Sequence, residues 1–558
     1  MEASSTLQTE STPRTDVLHS IVAGARVTGN RGTQPALSPA TGEIIGAYSL
    51  LDESQAKDAV GVATAAFATW GRTSFAERRR LLDRVRALIL DEAETIARLI
   101  AREQGKPLAE SHLAEILPSL DHLKHVAENG EETLSPRAVE PAVFLIAHKQ
   151  PRLEFHPIGS ILIITPWNYP FSIPMTGIAA ALMAGNTVVL KPAPTTTLIG
   201  LAIGDLFTRA GFPPGVVNVL ACDNDVAKTL VSDQRFGKIL FTGSVPTGRS
   251  IMASAAAHGT PVTLELGGKD PAVVCADADL ERAASGIVWA AFLNAGQTCS
   301  SVERVYVEES IADAFIAKVI EKTKALKTGD PLDENTDMGP MAMDRQRDVV
   351  EAHVADARAK GARIETGGAR AEGPGHFYPP TVLTNVDHTM TIMREETFGP
   401  VLPIMRVKSL DEALRLANDS PYGLTASGWT SSEANAAKLE RELQAGIVTI
   451  NDHTFSFGEP TSPWGGIKAS GIGRTHGPMG LLEMSNSKYV SRDLSRGGEV
   501  WWYPYGPEFK AMMAGALRSF HARFIGTRLF TLAKVSLSRR FLTRGKPLRL
   551  LPDIFKLF

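Results

Sequence analysis

The chain has 558 residues, 44% of them hydrophobic and 21% charged, and carries a formal net charge of −3. That length holds two or three domains with sizeable cores, and the composition is that of an ordinary globular protein, not a disordered one. The near-neutral balance gives no general attraction to nucleic acid, and three cysteines (Cys222, Cys275, Cys299) are too few, and odd in number, for a disulfide framework.

The first sixteen residues, "MEASSTLQTESTPRTD", read as a loose polar arm without the apolar core of a secretory signal. From Ser54 to Arg102, apolar residues recur at three- and four-residue intervals, which predicts helices. The segment "VFLIAHKQPRLEFHP" alternates in character and suits two strands. "SILIIT" (Ser160–Thr165) is a short apolar run stopped by Pro166, as a buried parallel strand would be. "MTGIAAALMAGN" predicts a helix closed by Gly185 and Asn186. Strand-like runs "TVVLKP", "VVNVLA", "KILFTG" and "PVTLELGG" then alternate with helical segments, and a second round of alternation runs from about Asp270 to Ile450. This predicts an α/β fold built on a doubly wound parallel sheet. No run of apolar residues is long enough for a membrane-spanning helix, and no Cys/His spacing marks a metal site.

Four places carry candidate chemistry. Cys299, in the polar stretch "NAGQTCSS", is either an inert buried thiol or, in a loop at a helix start, one that ligand can reach and whose thiolate backbone N–H groups can favour. Cys222 and Cys275 sit among strand-like apolar residues and read as inert buried thiols. Glu265, between two leucines in "TLELGGKDP", is either a strand-end residue turned to solvent or paired with Lys269, or a buried base whose pKa desolvation raises. Asn168, in the turn "TPWNYPF", lies at a strand's C-terminal end. Its amide either bonds its own backbone or donates to a developing negative oxygen. Gly243 and Gly248 in "FTGSVPTG" lie between a strand and a helix, as a tight turn or a pyrophosphate site.

Taken together, "ITPWNYP", "LKPAP", "FTGS", "LELGGKDP", "NAGQTCSS", "REETFGPVLP" and "SPWGGIKASGIGR" follow one another in an order that resembles the aldehyde dehydrogenase superfamily, over roughly Ile44 to Asp493. The thirty-four-residue step from Glu265 to Cys299 is also the family's. The resemblance implies that Cys299 is the nucleophile, that Asn168 and the Cys299 N–H stabilise the oxyanion, and that Glu265 activates water to release a carboxylic acid. It implies a cofactor, NAD or NADP, held by Ile164, Thr165, Pro166, Trp167, Lys191, Ala193, Pro194, Gly243, Ser244, Gly248, Leu266, Glu396 and Phe398. The substrate implied is an aliphatic aldehyde, and a long-chain one should the C-terminal tail bind lipid. A CoA-acylating enzyme and a non-catalytic binding protein that kept the fold are the alternatives.

The resemblance further implies a Rossmann-like cofactor domain (residues 1–137 and 158–265, with a return segment at 452–484), a catalytic domain (266–451) and an oligomerisation ribbon (138–157 and 485–493) that pairs subunits into a homodimer or homotetramer. Three departures from the family stand out. "KPAP" has Pro194 where many NAD-using members carry a glutamate that bonds the ribose hydroxyls, so NADP is expected to be tolerated beside NAD. A lysine common after the "PWN" turn is Gly177 here, and "GRTHGPMG" replaces a more usual "GRELGEYG".

Beyond the resemblance, residues 500–558 form a separate tail. From Lys510 onward it carries eleven Lys/Arg against the single acid Asp553, interleaved with Phe520, Phe524, Leu529, Phe530, Leu532 and Leu537. This predicts basic amphipathic helices that lie on an anionic membrane surface, pack on the protein's own body or cap the substrate mouth. The expected setting is the cytoplasm, with peripheral attachment to a membrane through residues 510–558.

Overall fold

A computed structural model describes residues 17–143, 146–494 and 496–537. The expected N-terminal arm and the last part of the basic tail lie outside the described residues. The chain divides into two units, one of residues 1–133 and 157–485 and one of residues 134–156 and 486–558.

The larger unit holds two sheets. In the eight-stranded sheet the central order is Val262–Glu265, Phe236–Thr242, Ser160–Ile164, Thr187–Lys191 and Val217–Val219, all parallel. Gly471–Ile472 runs antiparallel along one edge, and Ser20–Val22 with Ala25–Val27 closes the other. From Ser160–Ile164 the chain winds outward to one side, then returns to lay Phe236–Thr242 on the other. The winding therefore reverses beside Ile164, where open α/β sheets hold ligands. Register aligns Ile164 with Lys191 and with Phe241, and Thr242 with Glu265, so these strands end nearly level. "SILII" is buried almost throughout because helices cover both faces. The helix Ser172–Met183 is buried at every position, which its Ala-, Ile- and Met-rich sequence allows.

The second sheet has seven strands in the order Arg363–Thr366, Thr381–Thr384, Val401–Val407, Val302–Glu308, Asp270–Val274, Thr425–Trp429 and Ile447–Ile450. All pair in parallel except Arg363–Thr366. Its core joins Val273, Ile287, Tyr306, Phe315, Leu402 and Trp429.

In the smaller unit, Ser485–Arg492, Gln150–Pro157 and Arg137–Ala138 form a three-stranded sheet. The expectation of two strands in "VFLIAHKQPRLEFHP" is corrected: one strand, Gln150–Pro157, follows a turn over residues 146–149, and Phe144 and Leu145 lie outside the described residues. Alternating polarity around His148 and Lys149 imitates a strand, but His148 faces Asp493 and Glu499 (3.3 and 3.1 Å), which turns the chain inward there. The helices Pro507–His521 and Ile525–Ser536 bury Met512, Ala516 and Val535 with Val500.

Candidate active site

Cys299 lines two cavities of the larger unit, each of about 340 Å³. One is a cleft along the strand ends of the eight-stranded sheet, and the other is a tunnel walled by Leu113, Leu117, Ile173, Leu293 and Phe455.

The turn that carries Cys299 is built by three consecutive left-handed residues, Asn294 (φ 55°), Ala295 (φ 53°) and Gly296 (φ 71°), after the helix Leu280–Phe292. Only glycine fits at 296, since a Cβ there would lie 2.2 Å from the Gly399 carbonyl oxygen. The reversal leaves Cys299 in a turn ahead of the strand Val302–Glu308, not at a helix start as the sequence suggested. The expected thiolate-favouring field is corrected with it. Burial pushes the Cys299 thiol well above its ordinary range, the carboxyls of Asp270, Glu265 and Glu396 add to the rise, and the Ser300 N–H opposes it only weakly. The surroundings therefore favour the protonated thiol, and a base would assist reaction at sulfur.

Asn168 follows the Ser160–Ile164 strand and is buried. Its side-chain Nδ2 donates to the Gln297 carbonyl at 3.0 Å, across the chain from its own turn, which leaves one N–H to offer a ligand. Its backbone carbonyl accepts from Lys106 Nζ (3.0 Å) and Asn294 Nδ2 (2.9 Å). Lys106 pairs with Glu115 at 2.6 Å, both side chains fully buried, and sits 3.7 Å from the centre of the Tyr169 ring. Glu115 also accepts the N–H groups of Phe171 (3.2 Å) and Ser172 (2.8 Å), capping the helix that begins there. Removing either partner would strand a buried charge, so the pair acts as a clamp on the Asn168 turn. Sequence reading missed Lys106 and Glu115. Their only signal is a lysine and a glutamate nine positions apart, and their common target lies some fifty to sixty residues further on.

Glu265 ends its strand as a buried residue, 5% exposed, with both carboxyl oxygens enclosed. Neither oxygen has a partner within the protein, and Lys269 bonds Glu303 instead at 2.6 Å. Both the solvent-facing and the Lys269-paired alternatives are thus set aside. Burial holds the Glu265 carboxyl well above the usual range, against a weaker downward pull from Arg474.

The cleft that contains Cys299, Glu265 and Asn168 is also lined by Thr165, Pro166, Trp167, Gly243, Ser244, Leu266, Glu396 and Phe398. Ile164, Lys191, Ala193, Pro194 and Gly248 are not among its lining residues. Lys191 ends the strand beside Ile164 and its Nζ reaches Asn224 Oδ1 at 3.4 Å; Ala193 is buried just beyond it, and the Pro194 carbonyl accepts the Tyr48 hydroxyl at 2.7 Å. Gly248 serves packing: a Cβ there would meet Leu266 Cδ2 at 2.5 Å. Glu396 lies over Gly267, where a Cβ would fall 2.3 Å from its carboxyl, and accepts the Gly268 N–H at 3.1 Å. Burial lifts its pKa to about 8. Glu303, a second residue missed in the sequence, accepts the N–H groups of Thr397 and Phe398 (2.8 and 2.9 Å) and so fixes the Phe398 ring edge-on to Trp167.

The residues present fit a dinucleotide. The helix Val245–Ala256 begins at Ser244, whose hydroxyl meets Thr247 Oγ1 at 3.0 Å instead of capping the helix, and its first turn has a proline and no acid. Its amide end is therefore left for an anion at the rim of the cleft.

The aldehyde dehydrogenase family's sequence profile matches residues 27–490. The 4,4'-diapolycopene aldehyde oxidase of Methylomonas sp is 38% identical over 478 residues, covering 85% of this chain and 88% of that protein. The succinate semialdehyde dehydrogenase [NAD(P)+] Sad of Escherichia coli (strain K12) is 38% identical over 458 residues, 82% of this chain and 97% of that one. A crystal structure of an E. coli NADP dependent enzyme superposes with a TM-score of 0.83 at 34% identity, covering 86% of this chain and 98% of the other. Profile, relatives and solved structure agree over the stretch that builds both sheets and the cleft, and the chain belongs to the aldehyde dehydrogenase family.

Proposed function

We propose that the protein oxidises a neutral, largely apolar aldehyde to the carboxylic acid through a thiohemiacetal and then a thioester on Cys299. The Cys299 sulfur adds to the carbonyl carbon, and Glu265, with both oxygens unpartnered in the same cleft, takes up the thiol proton. The free Asn168 N–H and the Cys299 backbone N–H carry the developing oxyanion, a contribution of ~3–4 kcal/mol per donor in comparable sites. Thr165, Pro166, Trp167, Gly243, Ser244, Leu266, Glu396 and Phe398 would hold the dinucleotide in the cleft, with Ile164, Lys191, Ala193, Pro194 and Gly248 along its outer course and packing. NAD or NADP, when bound, supplies the hydride acceptor that no side chain can provide. No carboxylate stands at position 194 to oppose a 2′-phosphate, which supports use of both. Glu265, once it has passed that proton to solvent, activates water against the thioester, and this supports hydrolysis over transfer to coenzyme A.

The tunnel carries the substrate assignment. Its walls are mostly aliphatic and aromatic, and Leu113, Leu117, Trp289 and Phe455 remain exposed toward its mouth. Among the described residues lining it, none is Lys or Arg, while Asp121 and Glu459 are acids. An anionic aldehyde such as succinate semialdehyde would find repulsion there and no counter-charge. A panel of aldehydes from roughly four to sixteen carbons, run with NAD and NADP, should show kcat/KM rising up to about fourfold per methylene, since each buried methylene is worth ~0.8 kcal/mol. Both cofactors should support turnover. Succinate semialdehyde or an ω-amino aldehyde outrunning the neutral aldehyde of equal length would overturn the assignment.

The smaller unit supports two further parts of the reading. Residues 138–157 with 485–493 serve as the pairing ribbon of a homodimer or homotetramer, joined to a cofactor domain (1–137, 158–265, 452–484) and a catalytic domain (266–451). The tail attaches the cytoplasmic enzyme to an anionic membrane surface. No helix among the described residues is long and apolar enough to cross a membrane. Tyr503 (79%), Phe524 (73%), Trp502, Leu517, Leu529 and Leu537 are exposed to solvent, as are Lys510, Arg518 and Arg523. Phe520 packs inward, so it drops out of the lipid-facing set. Lys534 and Phe530 lie in the second helix with side chains outside the described set, and the basic residues from Arg539 onward lie outside the described residues. Flotation with phosphatidylserine vesicles should carry the parent chain upward at low salt and leave the Lys510→Glu/Arg518→Glu/Arg523→Glu variant behind. Equal flotation of both would reject membrane attachment through this basic face.

A further inference from the structure

His476 has no role in the chemistry described so far, yet it is one of the most constrained residues of the cleft. It occupies φ 57°, ψ 162°, a backbone conformation almost confined to glycine. The surrounding chain enforces it: Thr475 N–H donates to the Trp464 carbonyl (2.8 Å), Gly477 N–H to Pro460 (2.9 Å), and Gly480 N–H to the His476 carbonyl (2.8 Å). The imidazole is 7% exposed, and neither ring nitrogen has a hydrogen-bond partner within the protein. It is held by rings alone: His122 at 4.1 Å, Phe457 at 4.8 Å and Trp464 at 6.5 Å between centroids. His122 is itself fixed, with Nε2 3.1 Å from the Phe457 carbonyl oxygen.

His476 and Glu265 line the same cleft, together with Cys299, Gly177 and Thr475. Two buried side chains thus bring four unpartnered polar atoms to one cavity. Buried polar groups of this kind are satisfied by ordered water, and a water needs two to four such partners. Two of the three departures from the family's usual sequence, Gly177 and Thr475-His476, fall here as well. At 177 a Cβ would meet Leu240 Cδ2 at 2.8 Å, so no long side chain fills the space from that side without displacing Leu240.

We propose that His476 is a positioning residue for deacylation: its neutral imidazole holds the hydrolytic water that Glu265 deprotonates. This rests on the Cys299 thioester reading above. In the step, the water oxygen bonds to the thioester carbonyl carbon and the carbon–sulfur bond breaks with its electron pair staying on sulfur. One water proton passes to the ionised Glu265 carboxylate, and the other leaves with the carboxylic acid. Burial and the neighbouring His122 hold the imidazole neutral, so it both donates and accepts a hydrogen bond.

The test separates acylation from hydrolysis. His476→Leu should keep the first, stoichiometric burst of reduced nicotinamide within about threefold of the parent rate, while kcat falls about 10- to 100-fold, the lower part of the range for a proton-transfer group. Added hydroxylamine, which needs no activated water, should restore turnover. His476→Asn retains a donor and an acceptor, and should fall between parent and His476→Leu. A kcat for His476→Leu within threefold of the parent, or a burst that slows in step with kcat, overturns the proposal. Should His476→Leu not fold, His476→Asn carries the test: an intact burst with kcat lowered at least threefold sustains the proposal, and an unchanged kcat overturns it. A parent enzyme without any Cys299-dependent nicotinamide reduction would instead fail the thioester reading itself.

Discussion

Cys299→Ala is expected to abolish aldehyde oxidation, with a loss of kcat/KM on the order of 10⁴-fold or more, as for other covalent nucleophiles. The measurement is absorbance of reduced nicotinamide, with circular dichroism as the check on folding. No other thiol can replace it. Cys222 and Cys275 are buried in hydrophobic cores, and burial pushes their thiols up to about 11 and about 12. The substitution removes a half-buried sulfur from a turn whose shape is set by Asn294, Ala295 and Gly296, so the fold should persist. Residual oxidation within tenfold of the parent would place the nucleophile elsewhere.

Glu265→Gln should cost turnover about 10²- to 10⁴-fold, the range for removal of a general base, while preserving shape. Its pH behaviour is the more specific readout. Burial raises both the Glu265 carboxyl and the Cys299 thiol, and each must lose a proton to act, so the parent's rate should climb with pH well beyond the usual carboxylate range. The variant should lose the carboxyl's part of that climb. Stability carries the opposite sign. A carboxyl whose folded-state pKa is raised favours folding while protonated, and that contribution fades from the unfolded carboxylate range upward, through the folded-state value. Glu265→Gln should therefore lose less Tm between pH 5 and pH 9 than the parent does. Identical pH profiles for rate in both proteins would contradict a role for Glu265 as base.

What could be read from the sequence follows how local each signal is. The parallel strands announce themselves as short apolar runs closed by Pro166 or by Gly243, and Cys299, Glu265, Asn168 and Glu396 each stand inside a contiguous motif. The structure gathers these four around one cleft. What holds them is not local. Lys106 and Glu115 grip the Asn168 turn from more than fifty residues upstream, and Glu303 fixes Phe398 from about ninety residues away. Such partners are buried charges whose pairing appears only once the sheets are stacked. The charge state of Cys299 was misjudged for the same reason. A loop of small polar residues suggests access to backbone N–H groups, but burial raises the thiol and three carboxyls from other segments add to the rise. The turn at residues 146–149 was misread because alternation records side-chain polarity and not where His148 must point.

The central claim is that the substrate's carbonyl carbon becomes bonded to one sulfur. The parent enzyme, mixed with a long-chain aldehyde and oxidised cofactor, quenched in acid within the first turnover, digested and weighed by mass spectrometry, tests this most directly. The peptide carrying Cys299 should gain the mass of the aldehyde less two hydrogens. Carboxylic acid forming with no adduct on that peptide, or with the added mass on another residue, would contradict it.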